Sequence, residues 1–221
     1  MEKKIINALT RCPLFNNISE QHLIDIVEGA KYKLVKFDKK DIYILAGMPY
    51  RHVDLIVEGE MVARMVSLSG KSVEVSRLVG GDLVAPAFIF AKDNLMPVSV
   101  ETEKETTVLR ISKPDFVELI DTNPVLRRNF ITILSNIDVF LTKKMRVLSL
   151  FTVREKVGYF LKEAAGKQGS NVVQLNKSRQ EIAESFGIQK FSLLRTMSEL
   201  QDAGAIRVEG KRITILDRNK L

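Results

Sequence analysis

The chain of 221 residues has no tryptophan, one cysteine and two histidines. A lone Cys12 cannot form an intramolecular disulfide, and with two histidines it leaves little for a structural zinc site. No run of eighteen apolar residues occurs, and Met1-Glu2-Lys3-Lys4 leads into no signal-peptide core. The chain therefore reads as cytoplasmic, with no membrane partner. GxSxG, P-loop, GxGxxG, HExxH and paired-cysteine motifs are all missing, and Glu58 and Glu60 flank a hairpin turn where acids are solvated, so no enzyme is expected.

What is present is globular composition, 45% apolar and 28% charged. Its charge is uneven. Residues 1–123 carry 16 Lys and Arg against 18 Asp and Glu, whereas residues 124–221 carry 18 against 9. A near-neutral half joined to a basic half points to a control domain attached to something that grips polyanions, although a basic half also serves as a plain solubility face.

In the first half, residues 14–30 read as a short helix capped by Ser19, with Leu23, Ile26 and Val27 at helical spacing. After Lys33 the period changes to two. Leu34–Phe37, Ile42–Leu45, Val53–Val57, Met61–Val66, Val73–Leu78 and Val108–Ile111 read as strands, punctuated by Gly47, Gly59, Gly70 and Gly80-Gly81. Many short strands with glycine turns imply a barrel, roll or sandwich. At Ser112-Lys113-Pro114-Asp115 a capping serine opens a new helix.

Cys12-Pro13-Leu14-Phe15, then Val53-Asp54-Leu55-Ile56-Val57-Glu58-Gly59-Glu60, then Gly81-Asp82-Leu83, and finally Ser112-Lys113-Pro114-Asp115-Phe116 resemble, in order and spacing, the cyclic-nucleotide-binding roll of the CRP/FNR regulators.

Asn123-Pro124 is a helix start, and no proline or glycine follows until Gly158, so a helix is expected over 124–150, about 40 Å long. Phe130, Leu134, Ile137, Leu141 and Leu148 make a heptad stripe, interrupted by Lys144. Ile131, Ile133, Val139, Phe140, Met145 and Val147 supply a second apolar face. One face on the roll and one, the heptad stripe, on a second subunit is the expected arrangement; in the CRP/FNR family this helix is the dimer interface.

Thr152-Val153-Arg154-Glu155 and Ser178-Arg179-Gln180-Glu181 are two capping boxes. The first opens a helix expected to stop at Gly166. The second opens a short helix broken at Gly187, followed by a helix from about Gln189 to Ala203 that ends at Gly204. Two such helices form a helix-turn-helix. Ile206-Arg207-Val208 and Ile213-Thr214-Ile215, around Glu209-Gly210, make a hairpin wing beside Arg207, Lys211, Arg212 and Arg218. The stretch 178–217 is similar to the CRP/FNR DNA-binding domain. By that resemblance Ser178 and Arg179 contact phosphates, Lys190 and Arg195 contact DNA from the recognition helix, and Gln189, Phe191 and Ser192 complete the set. Phe191 stands where relatives often place a base-reading glutamate. It either touches a thymine methyl or packs inward against the wing.

The resemblance implies an effector pocket over 80–97, with candidates Ala85, Pro86, Phe88, Met96 and Pro97. In cyclic-AMP-binding relatives a glutamate holds the ribose and an arginine-serine pair holds the phosphate. Pro86 and Met96-Pro97 occupy those places here; the methionine side chain offers no donor, and proline lacks even the backbone N–H. Cyclic AMP is thus not the expected effector. An iron–sulfur cluster, another sensing mode of the family, needs four thiolates against one here. Haem, with His22, His52, Met61, Met65, Met96 or Cys12 as ligand, is a further reading, in a nitrosative-stress sensor; so are an ordinary core and an effectorless roll on a constitutive DNA-binding dimer. Cys12 reads as a packed small residue, with a redox role as the alternative. The expectation is an α+β chain: a jelly-roll-like sensor domain over 1–123, a dimerisation helix over 124–150 and a winged helix-turn-helix over 151–221. It would be a bacterial-type homodimeric transcription regulator whose partners are double-stranded promoter DNA and RNA polymerase.

Overall fold

The computed structural model describes residues 2–66 and 72–221. The chain divides into two compact units, Met1–Asp138 and Val139–Leu221.

In the first unit, Ile5, Ala8, Leu9 and Cys12 recur at helical spacing and are buried, and they place α1 at Glu2–Arg11. The single helix expected over 14–30 is broken. Pro13–Phe15 forms one 3-10 turn, Asn17 adopts a left-handed conformation (φ 63°), and α2 starts only at Glu20 and runs to Gly29. Ser19 caps α2, its hydroxyl accepting from the His22 N–H.

Among the described residues seven strands follow: β1 (Tyr32–Phe37), β2 (Ile42–Ile44), β3 (His52–Glu58), β4 (Glu60–Val66), β5 (Ser72–Val79), β6 (Ser99–Thr102) and β7 (Thr106–Ser112). They form two antiparallel sheets, ordered β1-β7-β3 and β2-β6-β4-β5. The turn expected at Gly70 lies outside the described residues. β6 has only Val100 and Thr102 to carry its alternation, too weak a pattern to be read as a strand. Gly59 turns β3 into β4 with φ 111°, and a Cβ there would collide with Thr106 Oγ1.

Ser112 caps α3 (Lys113–Thr122), accepting from the Asp115 N–H. Asn123 Oδ1 accepts from the N–H groups of Val125 and Leu126 at 3.1 and 3.2 Å, and α4 runs over Pro124–Leu150 as expected. The core of this unit gathers Leu9, Leu14, Leu23, Ile56, Met61, Ile89, Phe116 and Leu126 from both sheets and all four helices.

The stripe of α4 is divided in its duties. Phe130, expected at a subunit interface, is instead 4% exposed and packs edge-on against buried Phe116 in the first unit's core and against the exposed Phe90 ring. Ile133 and Leu134 are half-buried against that core, and Asn129 Nδ2 donates to the carbonyls of Leu14 and Asn16. The apolar surface left bare lies further along, at Phe140, Leu141, Met145 and Leu148, with Ile131 before it. The early turns face the core because Phe116 and Phe90 offer an apolar wall there.

The second unit holds α5 (Val153–Gln168), β8 (Val172–Gln174), α6 (Arg179–Ser185), α7 (Lys190–Asp202), β9 (Ile206–Glu209) and β10 (Arg212–Ile215). α5 runs through Gly166, whose backbone stays helical, and stops at left-handed Gly169 (φ 61°). β8 joins the hairpin wing in a sheet ordered β8-β10-β9. Val157, Leu161, Ile182, Leu193, Leu200, Ile206 and Ile213 close the core. Among the described residues no helix is long and apolar enough to cross a membrane.

Candidate nucleic-acid interface and effector segment

α6 is fixed at its start by a reciprocal pair: Ser178 Oγ accepts from the Glu181 N–H, and the Ser178 N–H donates to Glu181 Oε2 at 2.7 Å. Those bonds to Ser178 hold the Glu181 carboxyl below the ordinary glutamate range. Gly187, left-handed at φ 63°, turns the chain between the helices. α7 then buries Leu193, Thr196, Met197 and Leu200. Its opposite face presents Lys190, Phe191 and Arg195 to solvent, with Ser192 half-buried at the margin and Gln189 exposed at the N-cap without a side-chain cap bond. Phe191 is 72% exposed, so it does not pack inward against the wing. Arg195 Nε lies 3.4 Å from Glu199 Oε1, a surface pair one turn along the helix.

Arg179 is half-buried, and burial pushes its guanidinium below the usual arginine value. Its Nη2 donates to the Gly210 carbonyl at 2.8 Å, which joins the start of α6 to the tip of the wing. Arg207, Lys211 and Arg212 are exposed on the wing, and Arg218 donates twice to Asn171 Oδ1.

In the first unit, segment 80–97 is stitched to its surroundings through its backbone. Gly81 N–H donates to the Ile56 carbonyl, Ile56 N–H to Asp82, Val84 N–H to Asp54, and Gly47 N–H to Met96. The Met96 N–H donates to the Met48 carbonyl at 3.0 Å. The Met96 side chain is buried. Ala85 and Phe88 are half-buried against the core, Pro86 is half-buried in a 3-10 turn, and Pro97 is exposed.

Beside this segment lies a polar cluster that spans the two sheets. Asp54 on β3 is fully buried. Arg110 on β7 grips it, Nε to Oδ1 at 2.9 Å and Nη2 to Oδ2 at 2.6 Å, while Tyr43 from β2 donates its hydroxyl to Oδ2 at 2.6 Å. Tyr50 donates to the Val84 carbonyl at 2.8 Å, and its hydroxyl lies 3.5 Å from that of Tyr43. Burial and the neighbouring carboxylate push both phenols far above their usual titration range, so they act as hydrogen-bond donors throughout.

Residues 34–123 match the family model of the cyclic nucleotide-binding domain, and residues 155–221 match the Crp-like helix-turn-helix domain. The chain belongs to the CRP/FNR family. This CRP/FNR regulator is 21% identical over 184 residues to the cAMP-activated global transcriptional regulator CRP of Pasteurella multocida, covering 81% of this chain and 88% of that one. It is 30% identical over 130 residues to the transcriptional activator protein anr of Pseudomonas aeruginosa, with 57% and 53% covered. In three dimensions it is similar to a CooA mutant from Carboxydothermus hydrogenoformans, with a TM-score of 0.68, 18% identity, and 95% and 93% covered. It is thus a DNA-binding transcription regulator, and its relatives are regulators rather than enzymes.

The regulator places Ser178, Arg179, Gln189, Lys190, Phe191, Ser192 and Arg195 within α6, α7 and their caps. Sequence reasoning missed Leu194, which is 43% exposed on the same side of α7 as Phe191; counting one more residue on that face would have found it. It also missed the Asp54–Arg110–Tyr43 cluster, whose partners lie 56 and 11 residues apart and meet only through strand register.

Proposed function

We propose that this regulator binds a pseudo-palindromic DNA site as a homodimer and that its roll responds to something other than cyclic AMP. In this reading residues 1–123 sense, 124–150 dimerise and 151–221 bind DNA. The bare stripe of Leu141, Met145 and Leu148, continued by Ile137, meets its symmetry mate. Lys190, Phe191, Ser192 and Arg195 enter the major groove, with Gln189 at the helix start, while Ser178 and Arg179 lie against phosphates. RNA polymerase is the further partner.

One observation carries the effector reading. A cyclic phosphate needs a fixed cation or converging N–H groups. At the matching place Met96 has no cation and has already given its N–H to Met48, and Pro97 has no N–H. The relative from P. multocida is cAMP-activated by name; the absence of a cation at Met96 and Pro97 here supports a different effector for this chain. Haem finds little support. Cys12, Met61 and Met96 are 0–3% exposed, leaving no sulfur surface for a porphyrin, and His22, His52 and Met65 are exposed on separate elements.

A second reading is favoured by the Asp54–Arg110–Tyr43–Tyr50 cluster: the roll's own side chains fill its interior and no small molecule enters. Calorimetry on the intact protein with cyclic AMP and cyclic GMP at millimolar concentration tests the first point. No saturable binding is expected, and a Kd below about 100 μM, roughly −5.5 kcal/mol, would refute it. Mass spectrometry of the protein as purified separates the readings, because a bound small molecule argues for a sensor and against the filled roll.

A further inference from the structure

The inner face of α7 is complete. Leu193, Met197 and Leu200 are 2%, 5% and 0% exposed, and they close the core of the second unit without help from the outer face. Two large apolar side chains nevertheless stand on that outer face, Phe191 at 72% and Leu194 at 43% exposure. Three residues apart on a helix, they lie about 60° from one another and are neighbours on its surface. Arg195 lies about 40° to the other side of Phe191, and Lys190 immediately precedes it at the helix start.

We propose that Phe191 and Leu194 read thymine through its C5-methyl group, so that each operator half-site holds thymine under the first turn of α7. The proposal rests on the DNA-binding reading above and adds to it the base that is recognised. An apolar patch flanked by cations suits an occupant that is itself apolar but set in a polyanion. The thymine methyl in the major groove is such a group, and no other DNA base carries one. Phenylalanine neither accepts from cytosine N4 nor donates to guanine, so it discriminates by contact alone. The start of the recognition helix is also where helix-turn-helix proteins place base-reading side chains. A protein partner would be a poorer match, since it would have to supply carboxylates to both Lys190 and Arg195 around an apolar contact, whereas DNA carries its anions beside every thymine methyl.

The test uses the full-length protein and a duplex selected from a randomised pool. Each thymine of the half-site is replaced in turn by deoxyuridine, which removes the methyl group and leaves every hydrogen-bonding group in place. Replacement at one or two positions per half-site is expected to weaken wild-type binding about three- to fourfold each, the worth of one buried carbon. Phe191→Ala or Leu194→Ala should bind the thymine and uracil duplexes equally at the matching position, while Arg195→Ala should keep the difference. Circular dichroism checks that the variants fold; both side chains are exposed and outside the core. Selective binding with no response to deoxyuridine, or an unchanged response in both apolar variants, would overturn this proposal alone. If no sequence is selected over a scrambled duplex, the DNA-binding reading fails and this proposal with it.

Discussion

The ion pair inside the roll makes an asymmetric prediction. The Asp54 side chain is 0% exposed and that of Arg110 is 26% exposed. If Arg110 is replaced by methionine, the carboxylate stays buried with only the Tyr43 hydroxyl for company and has no route to water. Loss of one partner from a buried pair costs about 3–5 kcal/mol, and Arg110→Met should fall in that range. If Asp54 is replaced by leucine, the guanidinium can swing its exposed edge outward and recover hydration. The remaining cost is an unpaired Tyr43 hydroxyl and partial desolvation, about 1–3 kcal/mol. Replacing all three, with Tyr43→Phe added, removes every group that needs a partner and should lie within about 1 kcal/mol of the wild type, because desolvating a buried pair cancels most of its attraction. Urea unfolding followed by circular dichroism at one fixed protein concentration measures each value. Equal losses for Arg110→Met and Asp54→Leu, or a triple variant as unstable as the worse single one, would refute the reasoning.

Two further outcomes are expected. Leu141→Glu, at an exposed position on α4, should turn a dimer into a monomer in sedimentation at micromolar concentration, since two unpaired charges across an apolar seam weaken association by about a hundredfold or more. A variant that sediments as a full dimer would place the interface elsewhere. Burial pushes the Cys12 thiol up to about 12, so at pH 8 it should resist a thiol reagent in the folded protein and react within minutes in urea; rapid labelling of the native protein would contradict its packing.

The features read correctly from sequence are those set by a few consecutive residues. Thr152 with Glu155, Ser178 with Glu181, and Asn123 with Pro124 each announce a helix start through bonds no longer than four residues, and the structure has helices at all three. The wing follows likewise from two alternating runs around Gly210. What was missed depends on partners distant in the chain. A heptad stripe does not say which of its turns faces which neighbour, and Phe130 went to Phe116 because β7 and α3 bring that ring alongside. Asp54 and Arg110 are ordinary charged residues until antiparallel register sets them side by side. α1 is the exception: it was not read as a helix, although Ile5, Ala8, Leu9 and Cys12 follow helical spacing.

The bond from Arg179 to the Gly210 carbonyl has a kinetic consequence. A hairpin tip tethered before DNA arrives has already lost its freedom, so docking immobilises little and association starts from one shape. Binding free energy from phosphate contacts then goes to holding the duplex instead of ordering the loop. A pre-shaped body of this kind can slide along any sequence with the same posture. In the proposed reading, the dwell time at a given site is then set by the outer-face side chains of α7.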